Sequence, residues 1–270
     1  MNPFKCVILI AGMIILMSCA TLNAGNSAAK SAPGQKSEFY QLKIYTFNTD
    51  EQMSITDNYI RAAFLPGIKR LGVKNVGVFK PRPSQTDTVK RTYILIPFTS
   101  FSQFLTLEEG LAKDQAYLTA GKDYLNANYD HPPYGRTESI LLEAFENMPF
   151  IKAPALDGDR SNRVYELRSY ESATEAYHNS KVDMFNAGGE IKLFESLQFN
   201  AVFYARVISG SKMPNLMYMI SFSDEASRKA HWDAFSGSPG WKELKAIPKY
   251  LNTVSHIDMN LLYPTDFSDY

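Results

Sequence analysis

Cysteine is scarce in this sequence, and its two copies, Cys6 and Cys19, both lie near the N-terminus. The long remainder of the chain therefore has no residues for thiol redox chemistry, a cysteine nucleophile or a cysteine metal site. Charge points to no partner either, because 28 basic and 28 acidic residues are interspersed along the chain. Without a basic stripe to neutralise phosphates, we expect no nucleic-acid partner.

Common catalytic signatures are also missing. The sequence has no glycine-rich phosphate loop, no Gly-x-Ser-x-Gly elbow, no His-Glu-x-x-His and no Cys-x-x-Cys. These absences exclude the easily recognised NTPases, serine hydrolases, zincins and zinc modules. The four histidines, His131, His178, His231 and His256, are scattered and predict no metal site. We therefore expect neither a metal nor a cofactor.

What the sequence does contain is an internal repeat. Residues 39–47, Phe-Tyr-Gln-Leu-Lys-Ile-Tyr-Thr-Phe, return in altered form at 164–170 as Val-Tyr-Glu-Leu-Arg-Ser-Tyr, about 125 positions later. Phe98 and Phe222, from a second pair of matching segments, stand about 124 positions apart. Repeats in solenoids run to about 20–50 residues, so this much longer offset indicates duplicated domains.

The first residues are typical of an export signal. Lys5 supplies a positive charge, and residues 7–17 are apolar but too few for a membrane span, which needs about 20 residues. Residues 16–19, Leu-Met-Ser-Cys, resemble the lipobox of bacterial lipoproteins, in which the cysteine is lipidated. We predict a signal peptide over 1–18 and lipidation of Cys19. Ordinary cleavage after the Leu-Asn-Ala that ends at Ala24 is the alternative.

Residues 19–37 are predicted to be a tether between the lipid anchor and the folded part. Within this segment, residues 23–37 lack large apolar side chains and have nothing to bury. Either kind of cleavage takes the protein out of the cytoplasm. We expect a secreted protein of the bacterial cell envelope, anchored to a membrane and facing the periplasm.

Each half is predicted to have the order strand, helix, strand, strand, helix, strand. Alternating apolar residues predict strands at 39–47, 73–80, 91–98 and 139–145, and again at 164–170, 200–208, 216–222 and 254–262. Helical spacing predicts helices over about 50–71, 101–127, 174–197 and 224–246. Pro66 lies inside the first of these and predicts a kink or break. The predicted domains are 38–146 and 163–263, with a linker at 147–162 and a tail at 264–270.

Such a βαββαβ unit packs both helices on one face of a four-stranded sheet and leaves the other face open. The strands are apolar in both phases, as Tyr40 and Leu42 against Tyr45 and Phe47 show. An exposed apolar face of many hundreds of Å² would exceed what soluble monomers tolerate. We therefore predict an α+β fold in which the two sheets face each other and cover each other within one chain, as a monomer.

Several segments together resemble the NIPSNAP family in its bacterial two-domain secreted form. They are 39–47, 71–79, Met-Phe-Asn-Ala-Gly-Gly-Glu-Ile at 184–191 and the Trp-rich 231–242. The resemblance covers about 38–263 and implies tandem ferredoxin-like repeats that form an intramolecular dimeric α+β barrel. That superfamily contains cofactor-independent monooxygenases, haem-dependent enzymes and proteins of unknown role, so the fold does not decide the function.

The first candidate site is the aromatic segment around His231 and Trp232, with Phe235 and Trp241 close by. A neutral imidazole beside these rings could act as an acid or base near pH 7, or ligate haem iron. The alternative is that the rings pack a helix onto the sheet and leave His231 half exposed.

The second candidate site surrounds the paired glycines Gly188 and Gly189. Two glycines inside a helix cost roughly 1–2 kcal/mol relative to alanine. They could let a backbone approach a ligand or a partner chain, with Asn186 and Glu190 supplying polar contacts. They could equally permit a kink or close packing.

The third candidate site uses equivalent positions in the two halves, because Lys43 matches Arg168 and Tyr45 matches Tyr170. If the strands turn these side chains inwards, two cations and two phenols form a paired site for a carboxylate or another anion. If the strands turn them outwards, they meet solvent or the neighbouring Gln41 and Glu166.

Two classes of function remain open. The protein is a small-molecule-binding or interaction module of the envelope, with a small organic ligand, or an enzyme that uses the barrel cavity, such as a cofactor-independent oxygenase or a lyase. Titratable side chains that converge in a cavity at the sheet interface would favour the enzyme. A packed apolar interface would favour the binding module.

Overall fold

The computed structural model of the protein describes residues 37–83 and 87–270. The predicted signal peptide, the lipidation of Cys19 and nearly all of the predicted tether lie outside these residues and stay predictions. Within the described ranges, no helix combines the length and the apolarity needed to cross a bilayer.

The two halves have the predicted order of elements, with each helical layer divided into shorter helices. The strands are β1 (Phe39–Phe47), β2 (Gly77–Pro81), β3 (Lys90–Phe98) and β4 (Arg136–Ala144), then β5 (Val164–Glu171), β6 (Asn200–Ser209), β7 (Asn215–Phe222) and β8 (His256–Pro264). The helices are α1 (Asp50–Tyr59), α2 (Leu65–Arg70), α3 (Phe101–Ala112), α4 (Gln115–Ala120) and α5 (Lys122–Leu125), then α6 (Glu175–Phe185), α7 (Glu190–Ser196), α8 (Glu225–Gly237) and α9 (Pro239–Leu244).

The strands close into one antiparallel barrel in the order β1-β3-β2-β8-β5-β7-β6-β4. Each half contributes one run of four neighbouring strands, and two seams join the halves. At one seam Phe79 of β2 lies opposite Pro264 of β8, and at the other Ala144 of β4 lies opposite Ala205 of β6. The predicted α+β barrel, built within one chain from two facing sheets, is confirmed.

Equivalent polar residues start the helices of the two halves. The hydroxyl of Thr49 accepts a hydrogen bond from an N–H in the first turn of α1, and Thr174 does the same for α6. Ser100 caps α3 and Asp224 caps α8 in the same way. Each such cap stabilises its helix by about 1 kcal/mol, so the repeat preserves the positions at which helices begin.

The first helical layer is interrupted just before Pro66. Residues Ile60–Phe64 form a π-helical turn, after which the N–H of Leu65 donates to the Ile60 carbonyl. Proline has no N–H for the Ala62 carbonyl four residues earlier, so a regular α-helix cannot run unbroken through this point. The irregularity predicted at Pro66 is therefore present, but it occupies the preceding turn.

The helical region 174–197 breaks at the paired glycines. Gly189 lies between α6 and α7 with a φ of 90°, in the left-handed region that favours glycine. A Cβ on Gly188 would lie 2.7 Å from the carbonyl oxygen of Met184. The glycines thus permit a break between the helices and close packing of the backbone. This is the structural interpretation of the pair, rather than the approach of a ligand or a partner chain.

The apolar residues of each strand enter two different layers. Tyr40 and Leu42 of β1 point into the barrel, where they join Leu167 of β5 in a packed core. Tyr45 and Phe47 of the same strand pack against the first-half helices instead. The middle of the barrel is therefore a solid apolar core, and the helices cover the outer faces of both sheets.

Candidate functional site

A cavity of about 410 Å³ lies between the outer face of the second-half sheet and helices α6–α9. The sheet contributes Arg168 and Tyr170 from β5 and Tyr218 from β7, because alternate residues of a strand point to one face. The helices contribute charged and aromatic side chains, among them Lys181, Glu190, Phe194, Trp232 and Trp241. The space is of the size that small organic ligands occupy.

The floor of this cavity is a chain of hydrogen bonds. Arg168 donates through Nη1 to the hydroxyl of Tyr170 at 3.1 Å, and the hydroxyls of Tyr170 and Tyr218 lie 2.7 Å apart. Burial raises the pKa of the Tyr218 hydroxyl well above its ordinary value, which keeps it protonated. Burial alone would lower the pKa of Arg168, but the facing oxygens of Tyr218, Tyr170 and Glu166 raise it.

The carboxylate of Glu166 fixes the position of Arg168 in this floor. Its carboxylate is fully buried and accepts hydrogen bonds from Nε of Arg168, from Nε of Arg228 and from Nε1 of Trp232 at 2.9 Å. The guanidinium of Arg168 also lies 4.1 Å from the ring centroid of Trp232, a cation–π contact. One buried acid thus orients both the cation and the indole that face the cavity.

A second buried ion pair forms part of the wall. Nζ of Lys181 lies 2.8 Å from Oε2 of Glu190, and the two side chains are only 5% and 3% exposed. The pair joins α6 to α7 across the break at Gly189. Burial raises the pKa of Glu190, and the charge of Lys181 opposes that shift.

Four of the predicted site residues meet here: Arg168, Tyr170, Glu190 and Trp232 all line the cavity. Two others lie elsewhere. His231 bonds through Nδ1 to the carbonyl of Ser227, and its ring packs against Phe199 and Phe222. Asn186 accepts a hydrogen bond from the backbone N–H of Asn147, which ties the linker to the end of α6.

Lys43 and Tyr45 occupy the equivalent outer face in the first half, so the hypothesis of one paired inward-facing site is wrong. Nζ of Lys43 lies 5.4 Å from the ring centroids of both Tyr45 and Phe64, beneath the first-half helices. Lys43 and Arg168 mirror each other on separate outer faces, because their strand phase points away from the barrel interior.

The first half fills the corresponding layer with tyrosines. The rings of Tyr59 and Tyr124 stack with their centroids 3.8 Å apart, and Tyr124 donates to the hydroxyl of Tyr45 at 3.1 Å. The hydroxyls of Tyr59 and Tyr117 lie 2.8 Å apart. The two halves therefore share the order of their strands and helical layers but differ in how the space between sheet and helices is filled.

A separate cluster joins Glu171, His256 and Asp258, whose ligand atoms lie within 4.8 Å of one another. Lys212 forms an ion pair with Asp258 and lies 4.0 Å from Glu171. The lysine ammonium already supplies the positive charge that these acids attract. The cluster is consequently explained as a surface ion-pair network.

Fold and site together define an α+β barrel protein in which one of two ferredoxin-like halves holds a ligand-sized cavity beneath its helices. Residues 165–269 match the NIPSNAP family model. The second half of the chain is thus similar to NIPSNAP domains, and the resemblance seen in the sequence is confirmed over these residues. A comparison with curated proteins gives no significant match.

Solved structures share the fold at low identity. A candidate monooxygenase from Lactobacillus acidophilus is 10% identical with a TM-score of 0.54, over 85% of this chain and 94% of that one. Another from Fusobacterium nucleatum is 12% identical with a TM-score of 0.52, over 85% and 93%. An anthrone oxidase-like protein is 10% identical with a TM-score of 0.51, over 86% and 92%. At these identities the likeness shows the fold alone.

Proposed function

We propose that the protein is a small-molecule-binding module of the bacterial envelope, and that the cavity under α6–α9 holds a flat organic molecule with an anionic oxygen. The observation that carries this proposal is the chain of hydrogen bonds from Arg168 through Tyr170 to Tyr218 on the floor of an aromatic cavity. The matching layer of the first half is filled by its own tyrosines.

The aromatic walls support a flat ligand. Phe235 and Trp241 have ring centroids 4.7 Å apart, and Phe194 meets Trp232 edge to face at 5.9 Å. Such rings present flat faces and edges against which a planar molecule gains contact area with little loss of side-chain freedom.

The charges of the lining support an anionic group on the ligand. Arg168, Lys181 and Lys245 are cationic, and Glu190 is the acid among the lining residues of this cavity. Glu190 is paired with Lys181, and Arg168 is paired with the buried Glu166. Lys245 has no ion pair among the described residues, so the lining keeps a net positive charge. A carboxylate, sulfonate or phenolate oxygen would accept hydrogen bonds from the floor without displacing another acid.

Tryptophan fluorescence offers a direct test, because both tryptophans of the chain line this cavity. We expect 4-nitrobenzoate, a flat anionic quencher, to quench the emission saturably, and neutral 4-nitrobenzyl alcohol to bind more weakly. Tyr170→Phe should weaken 4-nitrobenzoate about tenfold or more, since one hydrogen bond to a charged group contributes roughly 1.5–3 kcal/mol.

The matched control is Tyr45→Phe, the same change at the equivalent position of the first half. It should leave quenching by 4-nitrobenzoate unchanged. Equal quenching by the neutral alcohol, or an equal loss in both variants, would contradict the proposed site.

An oxygenase acting in the same cavity is a second candidate, favoured by the two phenol hydroxyls beside a guanidinium. Such donors stabilise an enolate oxygen, the form of a substrate that reacts with O₂. Anthrone is a suitable probe, since its oxidation to anthraquinone consumes one O₂ and releases one water. Oxygen uptake above the spontaneous rate, lowered in Tyr170→Phe and retained in Tyr45→Phe, is expected for an enzyme. Oxygen uptake at the spontaneous rate would contradict the oxygenase, and ligand binding would then be the function proposed for the cavity.

A further inference from the structure

A second cavity, of about 420 Å³, lies at one end of the barrel and shares no lining residue with the first. It forms because the seams between the halves are paired at the opposite end only. β8 pairs with β2 through Leu262–Pro264, and β4 pairs with β6 through Leu141–Ala144. The strands diverge beyond these pairs, and the barrel opens there into a mouth between the two halves.

Side chains replace backbone pairing across the open part of both seams. Tyr93 of the first half donates to Oδ1 of Asn260 in the second half at 3.2 Å. Ser211 of the second half donates to the carboxylate of Glu138 in the first half. Both halves therefore build the walls of this mouth from polar groups, although the rest of the barrel interior consists of aliphatic and aromatic side chains.

The charges of the mouth do not cancel. Arg91 is paired with Asp87 at 2.7 Å, and Lys212 is paired with Asp258. Glu138 faces the same cavity, and within the described residues no cationic side chain lies within ion-pair distance of it. The lining thus carries three carboxylates against two cations, and Glu138 also helps to raise the pKa of Lys212, so one negative charge is in excess.

The floor adds an apolar surface and a further acceptor. Ile44, Ile140, Leu167 and Met217 line it. Beside them Asn215, which is 2% exposed, donates its amide to Ser169 at 2.8 Å while its carbonyl oxygen has no partner in the part of the chain that the structure describes. A buried acceptor without a donor is costly, so a ligand that brings a donor to the floor gains free energy.

We propose that the barrel mouth binds a small organic cation, an alkylammonium compound whose N–H groups face Glu138 and the carbonyl oxygen of Asn215 and whose alkyl part rests on the apolar side chains of the floor. An ammonium offers donors and no acceptor, which matches walls whose unmet groups are acceptors. The proposal does not depend on the aromatic cavity or its ligand.

The test is a titration of the whole protein with n-butylammonium, n-butanol and butyrate, followed by methyl NMR of Met217 and of the isoleucines. We expect saturable shifts of these methyl signals with n-butylammonium, weaker shifts with n-butanol and none with butyrate. Tryptophan emission should stay constant, because neither tryptophan lines the mouth. Salt should weaken the binding, since the attraction is between charges near solvent.

Glu138→Gln should weaken n-butylammonium about fivefold, near the upper limit for an exposed ion pair. The change is safe for folding because Glu138 is exposed on β4. The matched control is Glu143→Gln, which removes a carboxylate from the outer face of the same strand, where it pairs with Arg206. Equal binding of n-butanol and n-butylammonium, an equal effect of the two variants, or no methyl shift would each overturn the proposal.

Discussion

Lys181 and Glu190 form an ion pair with almost no access to solvent, and breaking it from one side should destabilise the protein strongly. Lys181→Met keeps the length and the apolar stem of the side chain beside Phe185 and Trp241 but removes the charge. The carboxylate of Glu190 then stays buried without a partner, a change that costs about 3–5 kcal/mol. Burial already raises the pKa of Glu190, so its carboxylate can take up a proton in the variant. The loss of unfolding free energy should then lie near the lower end of this range.

The double variant Lys181→Met/Glu190→Gln should regain most of this loss, because neither buried charge remains. Urea unfolding, followed by tryptophan emission and by circular dichroism, gives the free energy of unfolding for the wild type, both single variants and the double variant. We expect a coupling energy of about 2 kcal/mol or more.

The exposed pair Lys229–Asp233 on α8 is a suitable control, because its side chains are 74% and 64% exposed. Its removal should change the free energy of unfolding by about 0.5 kcal/mol or less. If the single variants at Lys181 and Glu190 also cost less than about 1 kcal/mol, or show no coupling, the pair does not hold α6 to α7 as argued above.

Four further predictions concern other parts of the chain. Trp232→Ala should lower the free energy of unfolding by about 3 kcal/mol, because the indole packs on Phe194 and bonds Glu166. Tyr270→Ala should cost about as much in urea unfolding, since this ring is 3% exposed within the barrel core. Burial raises the pKa of Glu190 above 4.5, so the stability of wild type relative to Glu190→Gln should be highest below pH 4.5 and fall as pH rises; a constant difference would contradict this. Cys19→Ser should give unlipidated protein that leaves the membrane fraction, and unchanged membrane association would refute the lipobox.

The barrel could be predicted from the sequence because its strands are apolar in both phases, and only a sheet covered on both faces accommodates that pattern. The bounds of β2 were less accessible. The prediction starts this strand at Val73, whereas it begins at Gly77. Val73 and Val76 are buried in the connection after α2, where Asn75 has a positive φ, so burial there does not indicate a strand.

The site could be predicted only in part. Arg168 and Tyr170 stand out because the repeat aligns them with Lys43 and Tyr45. Lys181 was missed, since its partner Glu190 lies beyond a helix break and the two do not have helical spacing. His231 is a candidate acid or base by its residue type alone. In the structure its ring forms a hydrogen bond with the carbonyl of Ser227, one turn earlier on the same helix.

Arg168, the cation on the floor of the aromatic cavity, is held by Glu166. The sequence indicated Glu166 only as the partner of an outward-facing Arg168. Glu166 lies two positions before Arg168. Because alternate residues of a strand share a face, this spacing predicts that the two side chains lie side by side on β5. Its bonds to Arg228 and Trp232 come from α8, more than sixty residues away in the chain. Such a long-range arrangement becomes visible only when the helices are placed on the sheet.

The layer between sheet and helices is filled by tyrosines in the first half and contains a cavity in the second. This difference bears on how a duplicated chain evolves. In a homodimer every substitution appears twice, so both copies of a cavity must stay open or close together. Joining the halves in one chain lets each change alone, and here Tyr59 and Tyr124 stack in the first half where the second half has a cavity. The expected stoichiometry at the aromatic cavity is therefore one molecule per chain.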